Sequence, residues 1–377
     1  MDWTIGVILS TLFVAYCNGA NDNFKGVATL LGSGTTSYRK AISWATITTL
    51  AGSLTAFFFA AGLIKTFSGK GLVPDQVVSN PEFLLSVSLA ASLTVFLAAR
   101  LGIPISTTHS LTGALVGAGF IAVGGQLKLH ALYKIFFLPL LISPCLSILM
   151  TIVLYPIFRY VRLKLGVKRD TCLCVGKEMI PVSHIASLGG EIFSLAQLKS
   201  LDIMLDDEKA CRAKAVEVYS GKFLGINIQR ILDAVHFISA GTVCFARGLN
   251  DTPKIVALLV TSAFFGLPYS IAFVAVAMAL GGLLSAKKVA ETMSYHITSM
   301  NHGEGLTANF ITAFLVIGAS GFGLPVSTTH VSCGALFGIG LINKKANYRM
   351  IMSILSAWVL TLPFAILWGG FVYWILK

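Results

Sequence analysis

Apolar segments alternate with short polar breaks along most of the chain, and one long polar stretch, 159–230, separates two groups of six. The twelve segments are 3–20, 24–36, 41–64, 82–101, 105–123, 131–158, 231–247, 253–266, 267–286, 306–323, 327–342 and 350–376. A membrane-spanning helix needs about 20 apolar residues, and the segments 24–36 and 253–266 fall well short of that length. The pattern therefore predicts an all-α polytopic membrane protein with about 12 hydrophobic segments, some of them discontinuous or re-entrant helices.

Two motifs occur once in each half of the chain, in the same order. GAND at 19–22 matches GLND at 248–251, an offset of 229 residues, and PISTTH at 104–109 matches PVSTTH at 325–330, an offset of 221. Such a repeat indicates an internal duplication. We therefore predict three parts, which are a first membrane repeat (1–158), a central loop region (159–230) and a second membrane repeat (231–377).

Charge predicts how the two repeats are oriented. The central region carries 12 of the 28 Lys and Arg residues, and basic loops stay in the cytoplasm. Lys344, Lys345 and Arg349 precede the last segment, which would then end outside, and an N-terminus with Asp2 and no base suits the outside as well. The first half would then run from outside to inside and the second from inside to outside, which predicts two inverted repeats. Each repeat would cross the membrane an odd number of times, in a multi-pass protein of the cell membrane. Within the cytoplasmic loop, residues 205–218 are predicted to form an amphipathic helix.

Composition excludes several classes of protein. Of the 377 residues, 55% are hydrophobic and only 12% are charged, and mean hydropathy is +0.81. A soluble domain carries about 25% charged residues. The net charge of +12 thus reflects basic loops beside membrane spans and not nucleic-acid binding. The seven scattered cysteines predict reduced thiols, and we expect no cofactor.

The first candidate site is the pair of Asn-Asp motifs. A carboxylate at membrane depth is costly and marks an ion or substrate path. The preceding glycines allow the backbone to unwind, and unwinding frees carbonyl groups to coordinate a cation. We therefore predict sodium ligands at Asn21, Asp22, Asn250 and Asp251. The alternative is a polar loop at the membrane surface in which these residues cap helices.

The second candidate site is the pair of Ser-Thr-Thr motifs. Each follows a proline, which ends the preceding helix, and each precedes a run of small residues. A helix that begins there offers free N–H groups and partial positive charge to an anion. The predicted phosphate ligands are Ser106, Thr107, Thr108, Ser327, Thr328 and Thr329. Ordinary capping or hydrogen bonding between helices is the alternative.

Asp22 and Asp251 are also predicted to contact phosphate. At neutral pH phosphate carries protons that a carboxylate can accept in a hydrogen bond, whereas sulfate does not and would leave the carboxylate unpaired. Sodium ions between carboxylate and anion are a second way to balance the charge. His109 and His330 are either proton shuttles or packed residues. Lys25 and Arg247 are counter-ions of the aspartates, direct contacts of the anion, or interfacial anchors.

At these motifs the chain resembles the inorganic phosphate transporter (Pit) family of secondary transporters, which carries a duplicated GAND-type motif and a duplicated P-x-S-x-T-H motif. The resemblance implies phosphate import coupled to Na⁺ or H⁺, inverted repeats and a homodimer. Thr49 and Asn309 stand where many members have glutamate.

The sequence therefore predicts a transporter, not an enzyme, that imports inorganic phosphate with sodium ions by alternating access. Proton-coupled phosphate or metal-phosphate symport and sulfate permeation on the same scaffold are the alternatives. The partners expected are phosphate, sodium and the lipid bilayer.

Overall fold

A computed structural model of the chain describes residues 3–59, 61–164, 171–180, 197–207, 224–262 and 264–377. These form two compact units, one made of Met1–Tyr155 with His236–Lys377 and the other of Pro156–Val235. The regular elements that lie wholly in the first unit are helices. Strands occur in the second unit.

The α-helices of the described residues are numbered here in chain order. They are α1 (Thr4–Asp22), α2 (Ala28–Gly32), α3 (Tyr38–Phe59), α4 (Ala61–Phe67), α5 (Asp75–Val78), α6 (Pro81–Leu101), α7 (Thr107–Val123), α8 (Leu129–Leu132), α9 (Leu138–Lys164), α10 (Ile228–Thr261), α11 (Leu267–Ser285), α12 (Lys287–Glu291), α13 (His302–Gly321), α14 (Thr328–Asn343) and α15 (Tyr348–Leu376). Short π-helical turns at Tyr133–Phe137 and Thr292–His296 precede α9 and follow α12.

The chain is an integral membrane protein, because six helical spans of the described residues are long and apolar enough to cross a bilayer. They are Thr4–Asp22, Tyr38–Phe59, Pro81–Leu101, Leu129–Val161, Leu267–Ser285 and Tyr348–Leu376. The sequence has twelve apolar segments, but several of these form shorter helices. Helices α7 and α14, for example, have 17 and 16 residues.

The two half-length segments differ from each other in the structure. Segment 24–36 contains only the five-residue helix α2, which fits a discontinuous element. Segment 253–266 was predicted to be separate from 231–247, and this is wrong, because α10 continues through both as far as Thr261 with Pro253 inside it. Proline lacks an N–H group, so the carbonyl of Leu249 loses its usual donor although the helix continues.

The glycines of the two Asn-Asp motifs allow helices to pack closely. A Cβ atom on Gly19 would lie 1.9 Å from the carbonyl oxygen of Met278 in α11, and one on Gly248 would lie 2.3 Å from the carbonyl oxygen of Thr49 in α3. Small residues at membrane-helix interfaces permit this approach. The predicted unwinding occurs after Asp22, where α1 ends, but not in the second half, where the helix runs through the motif.

The second unit contains a three-stranded antiparallel sheet with the strand order β2-β1-β3. Its strands are β1 (Thr171–Ile180), β2 (Gln197–Asp207) and β3 (Leu224–Asn227). The amphipathic helix predicted over 205–218 is wrong at its start, since 205–207 pair with β1. Residues 208–218 lie outside the described residues. The helical fold prediction therefore holds for the membrane spans and not for this unit.

Candidate functional site

Helices α7 and α14 begin at the two Ser-Thr-Thr motifs with the same geometry. Ser106 is the N-cap of α7 and its Oγ accepts a hydrogen bond from the backbone N–H of His109 at 3.2 Å. Ser327 caps α14 in the same way, with His330 as the donor at 3.2 Å. Helices therefore begin at both motifs as predicted, and both serines cap them. The serine hydroxyls cap the first turns, and the neighbouring threonine hydroxyls make other contacts.

Asp22 and Asp251 lie beside these helix starts. Their exposed fractions are only 1% and 3%, so neither belongs to a loop at the membrane surface. The hydroxyl of Thr107 donates to Oδ2 of Asp22 at 3.2 Å, and the hydroxyl of Thr328 donates to Oδ2 of Asp251 at 3.5 Å. Each Asn-Asp motif thus meets the Ser-Thr-Thr motif of its own half in the protein interior.

Each buried aspartate forms an ion pair with a buried lysine three residues later. Nζ of Lys25 contacts Oδ1 of Asp22, and Nζ of Lys254 lies 3.2 Å from Oδ1 of Asp251. This ion pair supports the interpretation of Lys25 as a counter-ion of Asp22. Lys254 was missed from the sequence, although Asp-x-x-Lys recurs at the 229-residue offset of the duplicated motif and could have identified it.

The two lysines also join the halves of the chain. Nζ of Lys25 donates to Oδ1 of Asn21 at 2.8 Å and to the hydroxyl oxygen of Thr329, in the other half, at 2.5 Å. Nζ of Lys254 donates to the hydroxyl oxygen of Thr108, again in the other half, at 2.8 Å. The second threonine of each motif is therefore held by an ammonium group from the opposite half of the chain.

Asn18 connects the two carboxylates, and sequence reasoning had not assigned it a role. Its Nδ2 lies 3.0 Å from Oδ2 of Asp22 and 3.3 Å from Oδ2 of Asp251. Its Oδ1 accepts a hydrogen bond from Nη1 of Arg247 at 3.0 Å. Arg247 also donates to Oδ1 of Asn23 at 3.3 Å. It is buried and so does not anchor at the interface.

The predicted cation ligands Asn21 and Asn250 hold the segments that lead into the helices. Nδ2 of Asn21 donates to the carbonyl of Ile103 at 3.0 Å, and Nδ2 of Asn250 donates to the carbonyl of Val326 at 3.1 Å. Oδ1 of Asn250 accepts from the hydroxyl of Ser320 at 3.2 Å. Both amides thus position the chain just before a Ser-Thr-Thr motif.

Five buried charged side chains therefore lie close together beside the starts of α7 and α14, with Arg247 joined to the two aspartates through Asn18, and we call them the charge cluster. They are Asp22, Lys25, Arg247, Asp251 and Lys254. Three are cationic and two anionic, so the cluster has one net positive formal charge. Among the residues whose burial is described, the remaining buried Asp, Glu, Lys or Arg is Glu304, which closes a capping box with Asn301 at the start of α13.

The two histidines that end the motifs pack against each other. The ring centroids of His109 and His330 are 4.5 Å apart, and His330 stacks on Trp358 at 3.9 Å. The three rings border a cavity of about 450 Å³ whose other walls are mainly apolar. Trp358 also donates from Nε1 to the carbonyl of Pro104 at 3.1 Å and so supports the turn before α7. This geometry matches the packed interpretation of the histidines.

Thr108 and Thr329 are predicted from the sequence to bind phosphate, and replacing either by valine is expected to weaken that binding about tenfold. Each change removes the acceptor of a lysine hydrogen bond, and bonds to charged groups contribute about 1.5–3 kcal/mol. Isothermal titration of purified protein with phosphate measures the effect. Thr55→Val is a matched control, since its exposed hydroxyl bonds only to the backbone of its own helix. Unchanged binding in both variants would leave these hydroxyls with a purely structural role.

The structure has helices that can span a membrane, and inside them two helix N-termini lie beside a buried charge cluster. This arrangement is typical of an integral membrane transporter with an internal binding site. The family model "Phosphate transporter family" matches residues 18–369. The chain belongs to the phosphate transporter family. Because this is a family of transporters, the chain is not an enzyme.

Individual relatives agree with this assignment. A "Putative phosphate permease" of Pyrococcus abyssi is 28% identical over 99% of this chain and 98% of its own length. A "Probable low-affinity inorganic phosphate transporter" of Bacillus subtilis is 25% identical over 99% of this chain and 97% of its own length. A solved structure of a protein named "The sodium-dependent phosphate transporter" covers the whole chain with a TM-score of 0.74 and 22% identity, which shows a shared fold.

Proposed function

We propose that this protein imports inorganic phosphate by secondary active transport. One observation carries the proposal most directly, namely that two helix N-termini, one from each half, converge on a buried cluster with net positive charge. Such a site attracts an anion in two ways, through the partial positive charges of the helix N-termini and through the net positive charge of the cluster. The family and its relatives support phosphate as that anion.

The proposed phosphate ligands surround the charge cluster. The hydroxyl groups can donate to and accept from the anion, the helix N-termini donate from backbone N–H groups, and the two carboxylates accept from protonated phosphate oxygens. The set consists of Asp22, Ser106, Thr107, Thr108, Asp251, Ser327, Thr328 and Thr329.

Alternating access by two inverted repeats is the proposed transport mechanism. It is supported by the equivalent contacts of the halves, in which Lys25 meets Thr329 and Lys254 meets Thr108. Both lysines therefore cross the boundary along which one repeat would rock against the other. In the proposed topology both termini are outside, residues 159–230 are cytoplasmic, and the transporter forms a homodimer.

Sodium and the proton are the two candidates for the coupled cation. Sodium is supported by the oxygen-rich Asn-Asp motifs at Asn21, Asp22, Asn250 and Asp251 and by the fold shared with a transporter named as sodium-dependent. Coupling to protons, with phosphate carrying its own proton, is favoured by the two lysines. Nζ of Lys25 already contacts the side-chain oxygens of Asn21 and Asp22 that sodium would bind.

Uptake of radiolabelled phosphate into proteoliposomes tests the proposed function. Accumulation above equilibrium, driven by an inward gradient of Na⁺ or H⁺ and saturating with phosphate, is expected for a secondary transporter. Empty liposomes and the Asp75→Asn variant, which changes an exposed carboxylate, are the controls. Phosphate entry that never exceeds equilibrium under either gradient would contradict the proposal.

Excess unlabelled sulfate is expected to reduce this uptake less than twofold. Sulfate has no proton at neutral pH, and a buried carboxylate facing it would lose its hydrogen-bond partner at a cost of about 1–3 kcal/mol. The competition is measured in the same proteoliposomes, with excess unlabelled phosphate as the positive control. Equal competition by both anions would assign the site to sulfate as well.

A further inference from the structure

We propose that the ammonium groups of Lys25 and Lys254 are built-in cations that take the place of two bound sodium ions, so that this chain binds phosphate without sodium. The inference rests on the proposed phosphate transport and specifies how its site is neutralised. It concerns the charge of the site and the identity of the coupled ion.

Nζ of Lys25 lies in a cage of oxygens of the kind that holds a hard cation. Its partners are a carboxylate oxygen of Asp22, the amide oxygen of Asn21 at 2.8 Å, the backbone carbonyl of Ile105 at 2.9 Å and the hydroxyl of Thr329 at 2.5 Å. Carboxylates, side-chain amides and free backbone carbonyls are the usual ligands of hard cations, and free carbonyls next to broken helices coordinate Na⁺ in transporters.

Nζ of Lys254 has an equivalent set of partners. It contacts a carboxylate oxygen of Asp251 at 3.2 Å, the carbonyl of Val326 at 2.7 Å and the hydroxyl of Thr108 at 2.8 Å. An ammonium group has three N–H donors, and these three oxygens accept all of them. A sodium ion at the same oxygens would meet the ammonium charge at close range.

The burial of the lysines rules out an anchoring role at the membrane surface. Exposed fractions are 2% for Lys25 and 1% for Lys254, and among the residues whose burial is described these are the buried lysines. Burying an ammonium group costs several kcal/mol unless it is paired and hydrogen-bonded. Here both are paired, at positions 229 residues apart, which places them in the same register of the duplicated motif.

The net charge of the site also indicates that phosphate can bind without sodium. With both lysines the charge cluster is net positive by one charge and can accept a singly charged phosphate without any further cation. Without them, Arg247 would face Asp22 and Asp251 with a net charge of minus one, and an anion would be repelled until cations bound first. Two lysines supply the same positive charge as two sodium ions, and they cannot dissociate.

Phosphate binding and uptake by the wild-type protein, compared in sodium and in choline, test the inference. We expect the Kd for phosphate to agree within about twofold between the two media, a difference below about 0.5 kcal/mol. Accumulation driven by an inward H⁺ gradient should persist in choline. Phosphate binding that requires sodium in the wild type would overturn the inference.

Lys25→Ala and Lys254→Ala give a second, more specific readout. Each is expected to lose phosphate binding in choline by at least about tenfold, the effect of one charge-assisted contact, and to regain a large part of it in sodium, which can enter the vacated oxygen cage. A role of the lysines in folding alone would not create this dependence on sodium. The exposed Lys40→Ala is the control and should behave as wild type in both media.

The outcomes separate this inference from the proposed function. Uptake that needs sodium in the wild type overturns the built-in cations but retains phosphate transport, whereas absence of accumulation in every medium contradicts the transport proposal itself. If the lysine variants do not fold, the wild-type comparison decides alone. Lysine variants that bind phosphate as wild type does, in choline as in sodium, would also overturn the inference.

Discussion

Replacing either buried aspartate by asparagine is expected to lower phosphate uptake about 100-fold or more. Asp22→Asn leaves the ammonium group of Lys25 buried without its carboxylate, and Asp251→Asn does the same to Lys254. Removing one partner of a buried ion pair costs about 3–5 kcal/mol. A barrier to transport that is higher by this amount corresponds to the expected loss of uptake. Initial rates of phosphate uptake into proteoliposomes, normalised to the amount of reconstituted protein, measure it.

Two comparisons show whether the loss arises in transport or in folding. Asp75→Asn removes an exposed carboxylate and should transport at the wild-type rate. The double variant Asp22→Asn with Lys25→Gln removes both charges of one pair, so we expect it to recover thermal stability without recovering uptake. Full activity of both single aspartate variants would show that the carboxylates take no part in the cycle.

Substituting valine for Gly19 or Gly248 is expected to prevent stable packing of the membrane helices. The added Cβ atoms would lie 1.9 Å from the carbonyl oxygen of Met278 and 2.3 Å from that of Thr49. Both obstacles are backbone atoms, so a neighbouring helix must move away. The cost is about 3 kcal/mol or more, at the upper end of the range for overpacked cores.

Size-exclusion chromatography and thermal unfolding of the detergent-solubilised variants measure this effect. We expect aggregated protein or a much lower unfolding temperature for Gly19→Val and Gly248→Val. Gly318→Val is the matched control, because a Cβ there would meet no atom within 4 Å although the residue also lies in a helix of the first unit. A monodisperse, wild-type-like Gly19→Val protein would contradict the close packing at Met278.

Local signals in the sequence were sufficient for part of this structure. Ser106 and Ser327 lie two residues after a proline and precede runs of small residues, and both are N-caps because capping depends on the chain within a few residues of the helix start. The duplication also identified Asp22 and Asp251 as equivalent positions, and both are buried beside those helix starts. A carboxylate within an apolar segment is costly and therefore marks an ion or substrate path inside the protein, which is why both aspartates were candidates.

Other features depend on contacts that are distant in sequence. The break predicted within α10 is absent although Pro253 lies inside it, and the close approach of Gly248 to Thr49 in α3 accompanies the unbroken helix. Asn18 bridges Asp22 to Asp251, a residue 229 positions further along the chain, and no periodicity reveals such a contact. The partner of Lys25, Thr329, likewise comes from the other half.

The two duplicated motifs thus have divided roles. Their glycines bring helices together, their asparagines hold the segments before α7 and α14, and their aspartates pair with lysines that reach the opposite half. The charged groups near the proposed phosphate site are therefore tied to both halves of the chain. A movement that separates the halves must exchange these hydrogen bonds for others, and a bound phosphate can supply them.

A cryo-electron microscopy structure of the protein in lipid nanodiscs at saturating phosphate would show where the anion binds and whether sodium accompanies it. We expect phosphate between the starts of α7 and α14, within hydrogen-bond distance of the hydroxyls of Thr108 and Thr329 and beside the ammonium groups of Lys25 and Lys254, with no sodium ion at Asp22 or Asp251. Phosphate bound elsewhere, with the charge cluster unchanged from the structure described above, would contradict this expectation.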